Sequence, residues 1–154
     1  MKKLLLLAAV VVVAVVAIVA LPASAHHHAK SAATGAKLEI HKGKLGRFIV
    51  NGRGATLYLF ERDKNGKSAC YGQCAQFWPP LITAGKPVAG SGVAASKIGT
   101  TKRKDGKLQA TYGGHPLYRF VKDTKSGQTG GQGLKAFGAE WYVVAPSGKK
   151  IDES

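Results

Sequence analysis

Apolar and polar residues alternate in short runs along most of this chain. Leu38 and Ile40 alternate with polar neighbours, and the pattern continues in the runs 48–50, 56–60, 108–112, 117–121 and 141–144. Side chains of a strand point alternately to its two faces, and Gly, Asn and Asp between the runs are typical turn residues. Beyond Ala25, no segment keeps a helical period. The pattern therefore predicts a mostly β fold.

The chain repeats itself at a constant displacement. A first copy over about 46–81 aligns without gaps with a second copy over about 106–144, and seven positions are identical. The identical pairs are Gly46 and Gly106, Gly54 and Gly114, Leu57 and Leu117, Tyr58 and Tyr118, Phe60 and Phe120, Asp63 and Asp123, and Phe77 and Phe137. The repeat predicts a small single domain of two tandem β units, which share a core around an approximate two-fold axis.

The strongest part of the repeat is a strand followed by an aspartate. Each copy carries a Tyr-x-Phe strand and an Asp three residues later, namely Tyr58, Phe60, Asp63 and Tyr118, Phe120, Asp123. Arg119 occupies the position of Leu59 in the second copy, so we expect the Tyr-x-Phe face to be the buried, shared one. We expect each Asp to accept backbone amides two or three residues further on and so close a turn. All six residues are thus interpreted as structural.

Residues 1–25 have the layout of a secretory signal peptide. Lys2 and Lys3 precede an apolar run that ends at Leu21, and Ala23-Ser24-Ala25 supplies small residues for cleavage. We predict cleavage after Ala25, with a retained membrane anchor as the alternative. Residues 26–36 are small and polar and predict a disordered leader, which leaves 37–154 for the folded domain.

The chain is strongly basic, with 23 Lys and Arg against 8 Asp and Glu. Removing the signal peptide leaves 21 basic and 8 acidic residues, a net charge of +13. Such a charge attracts polyanions, and export favours wall polymers or an anionic lipid surface over nucleic acid. We therefore expect anionic envelope polymers or lipids as partners, and no specific nucleic acid. The competing interpretation is a solvated basic surface without a dedicated site.

The two cysteines, Cys70 and Cys74, are most simply interpreted as a disulfide, because the chain is exported. The alternative is a copper or thiol redox site, in which His115 would complete the ligand set. His115 follows Gly113-Gly114 and precedes Pro116, however, which is more typical of a turn.

A second candidate copper site is the amino terminus that cleavage after Ala25 would expose. It would carry His26, His27 and His28, and a terminal amine with a histidine in third place suits Cu(II). We favour a protein without a cofactor, with copper as the alternative. The sequence shows no pairing of a nucleophile with a base, so we expect no enzyme.

The motifs together resemble a known family. Tyr58-Leu-Phe60-Glu-Arg-Asp63, its second copy, and the segment Ser68-Ala-Cys70-Tyr-Gly-Gln-Cys74 with Trp78-Pro-Pro-Leu81 are similar to a bacterial family of secreted repeats of unknown function. The members are labelled predicted lipoproteins with a Tyr-x-aromatic-x-x-Asp motif. The resemblance implies export and duplication, and brings neither catalytic residues nor a ligand. Many members carry a lipid-anchor cysteine at the cleavage site. This chain has none before Cys70, which favours release into the periplasm or the medium, or retention by charge alone, over a lipid anchor.

Overall fold

The computed structural model describes residues 35–152, so the predicted signal peptide and the histidines of the leader lie outside it. The strands are β1 (Lys37–Gly43), β2 (Gly46–Asn51), β3 (Tyr58–Phe60), β4 (Val88–Ala89), β5 (Ile98–Lys102), β6 (Leu108–Tyr112), β7 (His115–Pro116), β8 (Lys135–Ala136) and β9 (Ala139–Val143). One short helix, α1, covers Gln73–Phe77, and a 3-10 turn covers Ala95–Lys97. Within 35–152, no helix is both long and apolar enough to cross a membrane. The prediction of a mostly β fold is confirmed.

The strands form three small sheets of three strands each. Their orders are β2-β1-β4, β3-β9-β8 and β5-β6-β7, and every pairing is antiparallel except that of β1 with β4. Near β4 the ladder extends to Ala36, whose carbonyl accepts the Val88 amide at 2.9 Å. The Ala36 amide donates to Thr83 Oγ1 at 2.9 Å. The predicted leader therefore ends too late, because its last residue already takes part in the folded domain.

The predicted two-fold repeat is visible in the hairpins. The β1–β2 hairpin turns at Gly46 and the β5–β6 hairpin at Gly106, with φ of 79° and 81°. A positive φ of this kind suits glycine and explains the identity at that position. Tyr58 and Tyr118 exchange both main-chain bonds, from N to O at 2.9 and 3.0 Å. Because each residue pairs with its own repeat equivalent, the approximate two-fold axis passes between Tyr58 and Tyr118.

The two copies also exchange their final segments. The Val144 amide, at the end of the second copy, donates to Leu57 of the first copy at 3.2 Å. Conversely, the Leu81 amide at the end of the first copy donates to Leu117 of the second copy at 2.8 Å. The end of each copy thus donates a main-chain hydrogen bond to a carbonyl of the other copy. The units are interlaced rather than placed side by side.

The pairing of the exchanged segments is a regular ladder in the first copy but not in the second, where one predicted strand is absent. The first copy's β3 pairs with β9 over three residue pairs, from Tyr58 and Val143 to Phe60 and Trp141. In the second copy, where the sequence predicts a strand over 117–121, the same place holds a single bridge between Tyr118 and Pro80. Proline lacks the amide that a ladder needs, so Pro79 and Pro80 prevent a regular strand there.

The core has two parts, which lie on opposite faces of the Tyr-x-Phe segments. Leu57, Leu59 and Leu117 belong to an aliphatic cluster. The second cluster is aromatic and contains Tyr58, Phe60, Tyr118, Phe120, Trp78 and Trp141. The Tyr-x-Phe face is therefore buried and shared by both copies, as expected. Arg119 is exposed whereas Leu59 is only 3% exposed, so the second copy alone opens its other face to water.

Candidate functional site

The repeated tyrosines and aspartates meet across the two copies. The Tyr58 hydroxyl donates to the Asp123 carboxylate. In the same way, the Tyr118 hydroxyl donates to Asp63 Oδ2 at 2.8 Å. Each tyrosine ring is fully buried, whereas each aspartate is partly exposed. The motif therefore works as two reciprocal bonds that join one copy to the other.

Each aspartate uses its second oxygen to hold the loop that follows it. Asp63 Oδ1 accepts the Ala69 amide at 2.7 Å, and Asp123 Oδ1 accepts the Gly130 amide at 2.9 Å. These amides lie six and seven residues further on, so the expectation of a bond over two or three residues is wrong. The tight turns are closed by the main chain instead, where the Asp63 and Asp123 amides donate to Phe60 and Phe120 at 3.0 and 3.1 Å. The side chains are thereby left free to reach across the loop.

Burial changes the acid strength of these groups. It raises the pKa of the Asp63 carboxyl to about 6, although the bonds from Ala69 and Tyr118 act in the opposite direction. Burial also raises the pKa of Asp123. It further raises the pKa of the Tyr58 and Tyr118 hydroxyls. The tyrosines are thus held as protonated donors, and the aspartates act as their acceptors.

A buried arginine supports the Asp63 side of the site. Arg103 is 5% exposed, and its Nη1 contacts Ser68 Oγ at 2.8 Å and Gln109 Oε1 at 2.7 Å. Ser68 Oγ lies 2.8 Å from the Tyr118 hydroxyl, so the arginine is linked to the tyrosine through one side chain. Arg103 Nη2 also donates to the Cys70 carbonyl at 2.9 Å. This residue therefore fixes the loop of the first copy from the hairpin of the second.

Four aromatic rings form a stack inside the aromatic cluster. Phe60 stacks on Trp141, Trp141 on Trp78, and Trp78 on Phe120, with centroids 4.0, 4.0 and 4.4 Å apart. Tyr58 and Tyr118 meet Trp78 and Trp141 edge-on at 5.3 and 5.1 Å. Edge-to-face and offset contacts of this kind add to the stabilisation from burial alone. The two-fold axis thus relates Trp78 to Trp141.

The two cysteines form the disulfide that the sequence predicts, with their α-carbons 5.3 Å apart. Cys70 lies in the loop before α1 and Cys74 lies within α1, and both are buried. The chain bends back between them at Gly72, which has φ of 56° and directly precedes α1, and so brings the two cysteines together. A disulfide sulfur carries no thiolate charge for a metal. The copper and thiol alternative through Cys70, Cys74 and His115 therefore gains no support from the structure.

His115 directly follows a tight turn and is the first residue of β7. The two glycines before it have φ of 59° and 85°, and β7 pairs with β6 through His115 and Tyr112. His115 is half-buried, and burial lowers its pKa, which favours the neutral imidazole. Together with Asp63, Glu61, Lys64, Lys149 and Lys150, it lines an open cleft of about 490 Å³.

No metal-binding group can be assembled from the part of the chain that the structure describes. Within it, three or more His, Cys, Asp or Glu side chains nowhere come together as ligands. The terminal candidates His26, His27 and His28 lie outside the described residues, so that site stays a prediction. Glu61 in the cleft is paired instead with Lys150 at 2.8 Å.

Sequence reasoning missed Arg103, Ser68 and Trp141 as parts of this site. Arg103 stands in the run Lys102-Arg103-Lys104 and looks like one of many surface cations. Ser68 stands at the start of the segment that resembles the family, but nothing in the sequence assigns it a role. Trp141 could have been found, since Trp78 and Trp141 are the chain's two tryptophans, and Trp141 lies close to position 138, which the repeat sets against Trp78.

The comparisons with known proteins agree with the repeat. A family model described as a secreted repeat of unknown function matches the chain twice, over residues 39–82 and 99–145. The starting points of the two matches are offset by the same displacement as Tyr58 and Tyr118, and together the matches cover more than half of the chain. A search of curated proteins found no match, and a search of solved structures found none either.

Proposed function

The chain belongs to the family of secreted repeats of unknown function, and from that premise we propose a non-enzymatic role at the cell envelope, where its basic surface binds anionic polymers. The repeated Asp63 and Asp123 do not require a substrate to explain them, because tyrosine hydroxyls and backbone amides engage them. The charged surface is therefore the feature that this role uses.

The observation that carries the proposal is that most basic side chains lack an acidic partner, whereas every acidic side chain of the described residues has a polar partner. Residues 35–152 contain 20 Lys and Arg, of which 18 are exposed. Sixteen of the 20 have no carboxylate within 4 Å among the described residues. All seven carboxylates of the same segment, by contrast, have a cation, hydroxyl or amide as partner. An unopposed positive surface of this kind attracts polyanions.

The β5–β6 turn carries a compact group of cations on this surface. Lys102, Lys104 and Lys107 are all exposed there. The nearby Asp105 is shared between Arg103 Nε at 3.6 Å and the Lys107 amide at 3.1 Å. None of the three lysines has a carboxylate within 4 Å among the described residues, so they remain available to phosphate groups. We expect this turn to contribute more to polyanion binding than lysines that already have a partner.

Binding to inorganic polyphosphate tests the proposal with a defined probe. We expect complex formation at about 20 mM salt and at least about tenfold weaker binding at about 200 mM salt, because bound counterions are released. Lack of binding at the lower salt concentration would refute the proposal. Fluorescence anisotropy of labelled polyphosphate provides the measurement.

A pair of triple variants locates the binding surface. Lys102→Gln, Lys104→Gln and Lys107→Gln together remove three cations from the turn. The matched control removes the ion-paired Lys37, Lys135 and Lys150 in the same way, so that both variants have the same net charge. We expect about tenfold weaker binding in the turn variant and a smaller loss in the control.

A further inference from the structure

An apolar groove of about 260 Å³ opens beside the aromatic cluster. Trp78 and Phe120 contribute to its lining, together with Phe77, Leu134 and Phe137. Among the described residues, five large apolar side chains are exposed, and two of them, Phe77 and Leu134, line this groove at 41% and 40% exposure. A third, Val121, donates its amide to Phe77 and is 45% exposed. Clustered exposed apolar side chains usually mark an interaction site.

Phe77 and Phe137 meet at this groove, with ring centroids 6.1 Å apart. Phe137 has φ of 57° and is followed by Gly138 with φ of 93°, in the turn between β8 and β9. Two successive positive φ values define a turn that favours Asn-Gly, and a bulky residue in its first position is strained. The chain thus keeps a phenylalanine where asparagine fits the backbone better, and strain of this kind often accompanies function.

Cations stand around the groove. Lys122 lines it, and Arg62 Nη1 donates to the Phe137 carbonyl at 3.1 Å. Lys135 lies between two lining residues and is partly offset by Glu140 at 3.6 Å. Both Arg62 and Lys122 are exposed. An apolar centre with a positive rim complements a membrane surface, whose acyl boundary is apolar and whose phosphates are negative.

We propose that this groove docks the protein on an anionic lipid bilayer. Phe77, Leu134 and Phe137 enter the boundary between headgroups and acyl chains, while Arg62 and Lys122 meet lipid phosphates. The inference rests on the proposed function and deepens it, because it names a lipid surface as the partner at this face. Charge attracts the protein to the membrane, and the buried apolar side chains add affinity that salt does not screen.

Two variants test the apolar part of the interaction. Leu134→Ser removes an exposed apolar side chain, and Phe137→Asn replaces the strained residue by one that suits the turn. The matched control is Ile82→Ser, because Ile82 is equally exposed at 42% but lies outside the groove. Binding is measured by flotation with vesicles of phosphatidylglycerol, with vesicles of phosphatidylcholine, and in parallel with polyphosphate.

We expect the wild-type protein and Ile82→Ser to prefer phosphatidylglycerol vesicles over phosphatidylcholine vesicles. Leu134→Ser and Phe137→Asn should each bind the anionic vesicles about tenfold more weakly and bind polyphosphate as before. Phe137→Asn should still unfold in one cooperative transition, because relief of the strained φ offsets part of the packing lost against the aromatic cluster, and this excludes misfolding as the cause.

Equal vesicle binding by all four proteins, with polyphosphate binding intact, would overturn the docking site and leave the proposed function standing. Loss of polyphosphate binding by the wild type would overturn the proposed function itself. The two failures are therefore distinguishable.

Discussion

The two copies share one bonding pattern but close their loops in different ways. In the first copy, the loop after Asp63 is fastened by the disulfide and by Arg103. In the second copy, no cysteine follows Asp123. There the loop is fastened by close approach, since the Gly131 amide donates to the Tyr58 hydroxyl at 3.2 Å.

This difference shows which contacts both copies need and which contacts vary between them. Both copies need a tyrosine that reaches the aspartate of the other copy, because that bond joins the interlaced halves. How each loop is held beyond the aspartate varies, with a covalent bond in one copy and tight packing of glycine in the other. The shared part of the fold is therefore the pairing of tyrosine with aspartate, whereas the packing that holds each loop differs between the copies.

The largest effect is expected from filling the space at Gly131. A β-carbon there would lie 2.7 Å from the Trp78 ring and 3.0 Å from Tyr58. Gly131→Ala should therefore lower the free energy of unfolding by about 3 kcal/mol, because these buried rings cannot move apart without straining their own packing. Gly85→Ala is the control, since a β-carbon at Gly85 meets no atom within 4 Å. Urea unfolding measures both, and equal stability of the two variants would show that the loop of the second copy is not tightly packed.

A smaller effect is expected from opening the disulfide of the first copy. Replacing Cys70 and Cys74 by alanine should lower the free energy of unfolding by about 2 kcal/mol, because the bond closes only a short loop. The wild type in reductant should lose a similar amount, whereas the variant should not respond to reductant. A variant that fails to fold would contradict the view that Arg103 and Asp63 also hold this loop.

The next prediction concerns the pH dependence of stability that the Asp63 carboxyl causes. Burial in the folded state raises the pKa of Asp63 from 3.8 to about 6. Between pH 3.8 and about pH 6, the folded protein therefore keeps a proton on Asp63 that the unfolded chain releases. The contribution of Asp63 to stability is therefore greatest below pH 4 and is lost as the pH rises through about 6. Asp63→Asn should lack this step, so its stability relative to the wild type should rise between about pH 4 and pH 7.

The same test applies to Asp123 in the second copy, because burial raises the pKa of its carboxyl as well. Asp123→Asn should therefore also gain stability relative to the wild type with rising pH. Urea unfolding at a series of pH values measures both variants. A relative stability of Asp63→Asn that is independent of pH would contradict this assignment of the titrating group.

The sequence is sufficient to predict the β class, the displacement between the two copies and the equivalence of Tyr58 with Tyr118. Alternation and turn residues are local signals, and they locate β2 and β6 closely. The strand predicted over 117–121 fails for a non-local reason, because Pro79 and Pro80 occupy the place where its partner would lie. The short strands β4, β7 and β8 give no alternating run that could reveal them.

The site could be predicted only in part. A repeat shows which residues are equivalent, but it does not show whether Tyr58 bonds to Asp63 or to Asp123. That choice depends on the main-chain pairing of Tyr58 with Tyr118, a contact between residues far apart in sequence. Arg103 is hidden for a similar reason, since its burial follows from Ser68 and Gln109 and not from its charged neighbours.

The central claim is that the repeated motif joins the two copies across the axis, and a double-mutant cycle tests it most directly. Tyr58→Phe combined with Asp123→Asn should show a coupling of about 1 kcal/mol in unfolding free energy, because the two side chains share a bond. Tyr58→Phe combined with Asp63→Asn, a pair within one copy, should show a coupling near zero. Coupling within the copy and none across it would contradict the claim.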